Sequence, residues 1–256
     1  MKLSTLDKSL QVIELLSRNP RGLSLLEMSN FLGLPKSTIH HILSTFLPYD
    51  YVAQNGETRK YSLGLKFLSL SKVILDNIDV RKIANKYLLE LHDELRTLHG
   101  ECKEAIHLAI LRNGKVIYID KIESQEGLSL ATYIGFSTDP HAAAGGKVLL
   151  SELSPKDILT IYQGRALKPY GKNTITSIDE LFEELERIRK QGYAIDDEEY
   201  YEGVRCVAAP IRAGGQIVAA LSITGSIFTM TMERINNELK GLVMAKAEKI
   251  SSEMRW

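Results

Sequence analysis

Apolar residues recur at three- and four-residue steps along the first hundred residues, a spacing typical of amphipathic helices. A first helix is predicted by Leu6, Leu10, Ile13 and Leu16. A second pattern, over residues 66–76, predicts a helix that could link two domains. Another helix is predicted from Ile78 onward, so the domain boundary is expected near residues 77–78.

Residues 22–52 predict two helices joined by a tight turn. Ser24 is followed three residues later by Glu27, which is the spacing of a capping box at a helix start. Gly33 supplies the turn, and Pro35 suits the first turn of the next helix. One buried stripe of that second helix is predicted to consist of Ile39, Ile42, Leu43, Phe46 and Leu47.

The opposite face of this second helix is rich in hydrogen-bonding groups and has no acidic residue. It carries Lys36, Ser37, His40, His41, Ser44 and Thr45. A short helix of this kind, after a helix and a glycine turn, fits the major groove of DNA. On these residues alone, an ordinary helical hairpin with a solvated face remains an equal alternative.

The next residues favour the DNA-binding interpretation. Asn55-Gly56 separates the strand-like runs 51–54 and 59–63, and Asn-Gly is a strong hairpin signal. A hairpin directly after the second helix makes a winged helix. Its tip is predicted to carry Arg59 and Lys60, which would meet phosphate or the minor groove.

The pattern changes to strands and helices from residue 101. Strands are predicted at Ala105–Leu111, Val116–Ile122, Leu128–Ile134, 203–211 and 216–224, with hairpin turns at 112–115 and 213–215. Helices are predicted at 141–152, 155–163, 177–191 and 230–254. This order predicts an α+β domain in which helices cover an antiparallel sheet.

Composition is that of an ordinary globular protein of one or two domains, with 44% hydrophobic and 25% charged residues among 256. The formal net charge is zero, but its distribution is uneven. Residues 1–77 contain nine Lys and Arg against six Asp and Glu, whereas the remainder contains 23 against 26. The positive excess therefore lies in the part with the winged-helix pattern, as expected for a nucleic-acid binder.

Targeting and metal signals are lacking in the sequence. The first apolar stretch is interrupted by Asp7, Lys8 and Glu14, and no run approaches the ~18 apolar residues of a membrane span. Cys102 and Cys206 are far apart and have no metal-ligand spacing. We therefore expect a cytoplasmic protein with no membrane association, no cofactor and no metal.

Several motifs together resemble the IclR family of bacterial transcriptional regulators over nearly the whole chain. They are LPKSTIHHIL at 34–43, Tyr51-Val52, YSLG at 61–64, HAAAGGKVLL at 141–150, DDEEYYEGVRCVAAPI at 196–211 and AALSITG at 219–225. The resemblance implies a winged helix-turn-helix domain at 1–64, a linker helix at 65–77 and a GAF-like effector-binding domain at 78–256. It also implies DNA binding as a homodimer or tetramer and a response to a small organic or sugar acid.

DNA contacts are then expected from Ser24, Lys36, Ser37, Thr38, His40, His41, Ser44, Arg59 and Lys60. Relatives often have arginine at the position of His41. That departure leaves DNA binding intact but changes which base this position would read.

The effector residues are implied by the same resemblance. Members of the family use the residues that match Ala144, Gly145, Asp196, Cys206, Ser222 and Thr224 to bind their effector.

The chemistry of these residues alone also allows roles other than effector binding. The small residues at a helix start could bind an anion or allow close packing. Cys206 could be a small buried hydrophobe. A charge run is usually solvated, and Asp197–Glu199 are expected to be so. Period-two alternation places Ser222 and Thr224 on one face of a strand, inward or outward.

Three functions remain distinguishable at this point. The first is an effector-responsive regulator, more a repressor than an activator, that binds a near-palindromic operator. The second is an enzyme with Cys206 as nucleophile and a distant base such as His107 or His141. The third is a redox or metal sensor that uses the two Cys or six His.

Overall fold

Residues 4–124, 131–164 and 166–254 are described by this computed structural model. The chain divides into two units, Met1–Asn77 and Ile78–Trp256. Each unit has its own apolar interior. Among the described residues, no helix has the length and apolar character needed to cross a bilayer.

The first unit consists of helices and one short hairpin. In chain order its elements are α1 (Thr5–Ser17), α2 (Leu25–Leu32), α3 (Lys36–Phe46), β1 (Val52–Gln54), β2 (Tyr61–Leu63) and α4 (Lys66–Asp76). The predicted capping box is present at α2, where the Glu27 N–H donates to Ser24 Oγ over 3.3 Å and Glu27 Oε2 accepts from the Ser24 N–H over 2.7 Å. Gly33 ends α2 with φ of 64°. The helix-turn-helix expectation is confirmed.

The first unit is held together by the predicted stripe of α3. Ile39, Ile42 and Leu43 are buried against apolar residues of α1, α2 and the hairpin. The prediction for α1 was wrong in part, because Leu6 and Leu10 are 70% and 58% exposed. Helix α1 is apolar on two sides, and the side that meets the other helices carries Val12 and Leu16.

The wing forms, but the connection between its strands is longer than the predicted strand-like runs 51–54 and 59–63 imply. Gln54 pairs with Tyr61, so six residues connect β1 and β2. The Asn55 side-chain oxygen accepts the N–H groups of Glu57 and Thr58 over 3.0 and 2.8 Å. This local side-chain turn replaces the tight hairpin turn.

The second unit surrounds a single sheet with helices. Its elements are α5 (Asp79–His99), β3 (Ala105–Arg112), β4 (Lys115–Ile122), β5 (Ser137–Thr138), α6 (Ala144–Leu150), α7 (Pro155–Tyr162), α8 (Ile178–Gln191), β6 (Ala194–Asp197), β7 (Val204–Ala213), β8 (Gln216–Ser226), α9 (Met232–Arg234) and α10 (Lys240–Glu253). A 3₁₀ turn, Pro140–Ala142, precedes α6, and a π-helical segment, Ile235–Leu239, joins α9 to α10.

The sheet is antiparallel throughout, with strand order β5-β4-β3-β8-β7-β6. Two-residue turns connect β3 to β4 at Asn113-Gly114 and β7 to β8 at Gly214-Gly215. All four of these residues have positive φ, as such hairpins require. Helices α5 and α10 cover one face of the sheet, whereas α6, α7 and α8 cover part of the other. The predicted α+β fold is confirmed.

Two expectations for the second unit need correction. Of the strand expected at Leu128–Ile134, residues 128–130 lie outside the described residues, and 131–134 are not a strand. The edge strand is β5 instead. The acidic run was expected to be solvated after Asp196, yet Glu198 and Glu199 are buried. Strand β6 and the turn after it carry these side chains into the unit, where each carboxylate pairs with a lysine.

Candidate functional site

The exposed face of α3 presents most of the side chains that were expected to contact DNA. Lys36, Ser37, His40 and His41 are exposed, whereas Thr38 is half-buried. The hydroxyls of Ser44 and Thr45 are exposed too, and both donate to the His41 carbonyl over 2.9 Å. These two hydroxyls can therefore accept from a partner more readily than they can donate. Their backbone is fixed because the opposite side of α3 is buried.

Three other expected DNA contacts have distinct surroundings. Ser24 is half-buried, and its oxygen already caps α2. Arg59 is exposed on the wing with φ of 56°. Lys60 is half-buried, and its ammonium pairs with Glu27 Oε1 over 3.3 Å. Arg59 is thus the better placed of the two wing cations.

A small cavity lies on the sheet face that α6 covers, and we call it the effector cavity. Its volume is about 30 Å³. Three of the expected effector residues, Asp196, Cys206 and Thr224, line it together. The other lining residues are His107, Tyr118, Thr132, Phe136, Thr138, Ala143, Tyr200, Tyr201 and Val204.

Strand pairing explains why these side chains meet. Cys206 of β7 lies opposite both Asp196 of β6 and Thr224 of β8, so the three form a row across neighbouring strands. Ala105 of β3 continues this row opposite Thr224. His107 lies one step along the same face, since side chains two residues apart share a face.

The remaining three expected effector residues lie beside the cavity and do not line it. Ser222 is buried opposite His107 and Ala208, on the same sheet face. Ala144 packs into the interior between α6 and the sheet. A Cβ added to Gly145 would lie 3.6 Å from the Ala220 side chain. The N–H groups of Ala144 and Gly145 belong to the first turn of α6, where a helix supplies no acceptor of its own.

Asp196 is the charged group of this cavity. Its side chain is almost fully buried, and Oδ1 accepts the Glu199 N–H over 2.8 Å. Burial, together with the nearby Glu199 carboxylate, raises the pKa of Asp196 to about 7. A carboxyl group with this pKa exchanges a proton close to neutrality.

His107 and Thr138 supply further polar groups. The His107 ring contacts Thr132 Oγ1 through Nε2 at 2.9 Å and Thr224 Oγ1 through Nδ1 at 3.4 Å. Burial and the Lys121 ammonium lower the pKa of His107 to about 3, so its ring is neutral. The Thr138 hydroxyl is buried and has no hydrogen-bond partner within the described residues.

The thiol of Cys206 is not activated. Burial, and to a lesser degree the Asp196 carboxylate, raises the pKa of this thiol well above its usual value. A neutral thiol is a weak nucleophile, which argues against the enzyme hypothesis. Nor do three His, Cys, Asp or Glu side chains come together as a metal site anywhere in residues 4–124, 131–164 and 166–254.

A buried ionic cluster lies behind the effector cavity. Lys147 of α6 places its ammonium 2.5 Å from Glu199 Oε1, 2.7 Å from the Ile195 carbonyl and 3.4 Å from Glu184 Oε1. Asp196 lies in β6, and Glu199 lies in the turn directly after this strand. Because Lys147 holds Glu199, it also fixes the position of the neighbouring Asp196.

Sequence reasoning missed much of the cavity wall. Tyr118, Phe136, Tyr200 and Tyr201 form a chain of aromatic contacts around it, with ring centroids 4.6 to 6.3 Å apart. The tyrosine pair adjoins the acidic run, so its position was available as a signal. Tyr118 could have been found only by pairing β3 with β4. His107 was named only as a possible distant base for Cys206, and its place in the cavity wall follows from the pairing of β3 with β8.

Comparison with known proteins gives consistent matches along the chain. The model of the bacterial transcriptional regulator IclR C-terminal domain matches residues 72–252, and that of the IclR helix-turn-helix domain matches residues 5–56. The HTH-type transcriptional regulator KdgR of Escherichia coli is 35% identical over 237 residues, which cover 92% of this chain and 87% of KdgR.

Two further proteins match across the full length. The transcriptional repressor IclR of Escherichia coli is 28% identical over 253 residues, covering 98% of this chain and 89% of the repressor. The crystal structure of the Thermotoga maritima IclR is 29% identical, covers 98% of each chain and superposes with a TM-score of 0.79. The fold, both domain matches and these relatives show that this chain belongs to the IclR family of bacterial transcriptional regulators.

Proposed function

We propose that this regulator binds a near-palindromic operator as a dimer and represses transcription, and that a small hydroxylated carboxylic acid in the effector cavity changes its affinity for DNA. The observation that supports the proposal most strongly is the effector cavity itself. A buried carboxyl, a neutral imidazole and the buried Thr138 hydroxyl, which has no partner in the part of the chain that the structure describes, converge there. Buried polar groups need partners, and a polar ligand supplies them.

The walls of the cavity favour a ligand with hydroxyl groups. Hydroxyls of Thr132, Thr138 and Thr224 line it together with the Asp196 carboxyl. The aromatic faces of Tyr118 and Phe136 provide apolar contact for the C–H groups of a carbon chain. The cavity holds roughly one water molecule, so its lining side chains must separate when such a ligand binds.

Dimerisation is supported by apolar residues that the first unit leaves exposed. On α1 these are Leu6 and Leu10, and on α4 they are Leu68, Val73 and Ile74, each at least 58% exposed. Apolar rows of this kind are typical of surfaces that meet a second chain. Two copies would present two α3 helices to two half-sites, which explains the expected palindrome. Repression is proposed because the Escherichia coli relative IclR is a transcriptional repressor.

The effector part is tested by thermal melting of the full chain with a panel of small acids. The panel contains glycolate, glycerate, gluconate and benzoate. A ligand at 100 times its dissociation constant stabilises the folded state by about 2.7 kcal/mol, which corresponds to a shift of a few degrees.

Asp196→Ala should abolish this shift while DNA binding persists. Asp197→Ala is the matched control, because Asp197 lies on the opposite side of β6 and pairs with Arg205 over 2.6 Å. A shift that survives in Asp196→Ala would contradict the proposed site.

A further inference from the structure

The effector cavity offers a carboxylic acid no cation. Among its described lining residues Asp196 is the one with a formal charge near neutral pH, and no lysine or arginine is among them. His107 is neutral because of its burial. A carboxylate ligand would therefore enter a small buried space beside another carboxyl group.

The buried ammonium groups near the cavity are already engaged. Lys147 contacts two glutamates and a carbonyl, as described above. The Lys121 ammonium lies 2.8 Å from the Thr132 carbonyl and 2.8 Å from Glu123 Oε1. If either ammonium moved to a ligand, the carboxylate that it now pairs with would lose its partner, and an unpaired charge at a buried site is costly.

The surroundings of Asp196 add further negative charge. Several elements contribute polar or titratable groups to the surroundings of Asp196 and its neighbours. The strands contribute Cys206 from β7, Tyr118 from β4, His107 from β3 and Thr224 from β8. The helices and the turn after β6 contribute Lys147 from α6, Glu184 from α8, and Glu199 and Tyr200 from the turn. Cys206 and Tyr118 are uncharged because burial raises the pKa of each. The Lys147 ammonium pairs with Glu199 and Glu184, and Glu184 also pairs with the more exposed Arg187. Among the described residues, no cation forms an ion pair with Asp196.

We propose that the effector cavity binds its carboxylic acid together with one proton, held between the Asp196 carboxyl group and the ligand carboxylate as an acid–carboxylate hydrogen bond. This inference rests on the proposed function. Two like charges in contact at a buried site cannot both remain ionised, so one proton is retained between them. The proton comes from solvent, and no covalent bond changes.

The pKa of about 7 makes this proton available at low cost. Below pH 7, Asp196 in the unliganded protein already carries the proton, so affinity is independent of pH. Above pH 7, binding must take up a proton, and the dissociation constant rises about tenfold for each pH unit. The ligand thus acts with a proton as its co-effector.

Isothermal titration calorimetry of the full chain tests the proposal, with glycerate and gluconate as probes between pH 6 and 9. Titrations at pH 8 in phosphate and in Tris, which differ in ionisation enthalpy, report the proton uptake. We expect close to one proton per site for either acid that binds. Glycerol and glucitol, the neutral counterparts, should show no proton uptake.

Asp196→Asn separates this inference from a merely polar role of Asp196. The amide donates a hydrogen bond as a protonated carboxyl does, so this variant should bind the acids with a constant affinity across the pH range. At pH 8.5 it should bind them more tightly than the wild type by at least about tenfold. Asp197→Asn should retain the wild-type pH dependence.

Two results would overturn the inference, and they differ in what they leave intact. Binding without proton uptake at pH 8, combined with weaker binding by Asp196→Asn at every pH, would mean that ionised Asp196 accepts ligand hydroxyls. The proposed function would then survive. If neither these acids nor the others of the panel bind at pH 6, the proposed effector class fails and the inference with it.

Discussion

At the residue scale, Lys147 shows how a single buried charge holds the candidate site in place. Its side chain is 1% exposed, and it touches Glu199 on the turn after Asp196. A buried charge that loses its partner is strongly destabilising. The position of Asp196 therefore depends on an ion pair that spans 52 residues of sequence.

Lys147→Met should lower the free energy of unfolding by about 3 kcal/mol or more, because the buried Glu199 carboxylate loses its ammonium partner. Urea denaturation followed by circular dichroism measures the change. The matched control is Lys190→Met, since Lys190 pairs with Glu186 on the exposed surface of α8. Equal denaturation midpoints for the two variants would contradict the role given to the buried cluster.

The burial of acidic residues in the run 196–199 could not be predicted from the sequence. Composition predicts that Asp197–Glu199 are solvated, and for Glu198 and Glu199 this was wrong. A carboxylate is buried only where a partner is available, and the partners here, Lys172 and Lys147, lie far away in sequence. Asp196 itself could be named only through the family resemblance. Its burial and raised pKa follow from tertiary contacts.

At the element scale, the wing and α3 are the elements that we propose to contact DNA. Arg59→Ala should reduce the slope of log affinity against log salt by up to about one, because one phosphate contact is lost. Lys60→Ala should change the slope less, since Glu27 already pairs with Lys60. Fluorescence anisotropy on a labelled duplex at several salt concentrations measures both. An equal or larger effect of Lys60→Ala would contradict this placement of the wing cations.

The junction between the wing and α4 depends on a glycine. A Cβ at Gly64 would overlap the Asp50 carbonyl oxygen, so the backbone must shift to accept a side chain. We expect Gly64→Ala to destabilise the first unit by about 1–3 kcal/mol, as overpacking does. Gly56→Ala is the control, because no atom lies within 4 Å of its added Cβ. Thermal melting compares them, and equal melting temperatures would refute the close approach.

Elements with a clear period could be predicted from the sequence. Burial of Ile39, Ile42 and Leu43 in the α3 stripe and the hairpin turns at 112–115 and 213–215 depend on local spacing and on glycine, and these predictions were confirmed. Phe46 and Leu47 of the same stripe are half-buried. The buried side of α1 could not be predicted reliably, because two of its sides are apolar and only tertiary packing selects between them. Strand β6 was not predicted, because two of its four residues, Asp196 and Asp197, are charged.

At the scale of the whole molecule, one pairing creates the effector cavity. Strands β3 and β8 are neighbours in the sheet although more than a hundred residues separate them, and their register sets Ala105 beside Thr224 and His107 beside Ser222. Local pattern predicts each hairpin but not this long-range order. The family resemblance supplied the expected cavity residues, but the aromatic wall and His107 required the sheet.

Selection of bound duplexes from a random DNA library by the full chain tests effector-responsive operator binding directly. We expect enrichment of an inverted repeat with half-sites about one helical turn apart, or a multiple of it. An acid that shifts the melting temperature should change the bound fraction of this duplex, and Asp196→Ala should bind it without responding. Failure to enrich an inverted repeat, or an identical acid response in Asp196→Ala, would contradict the account.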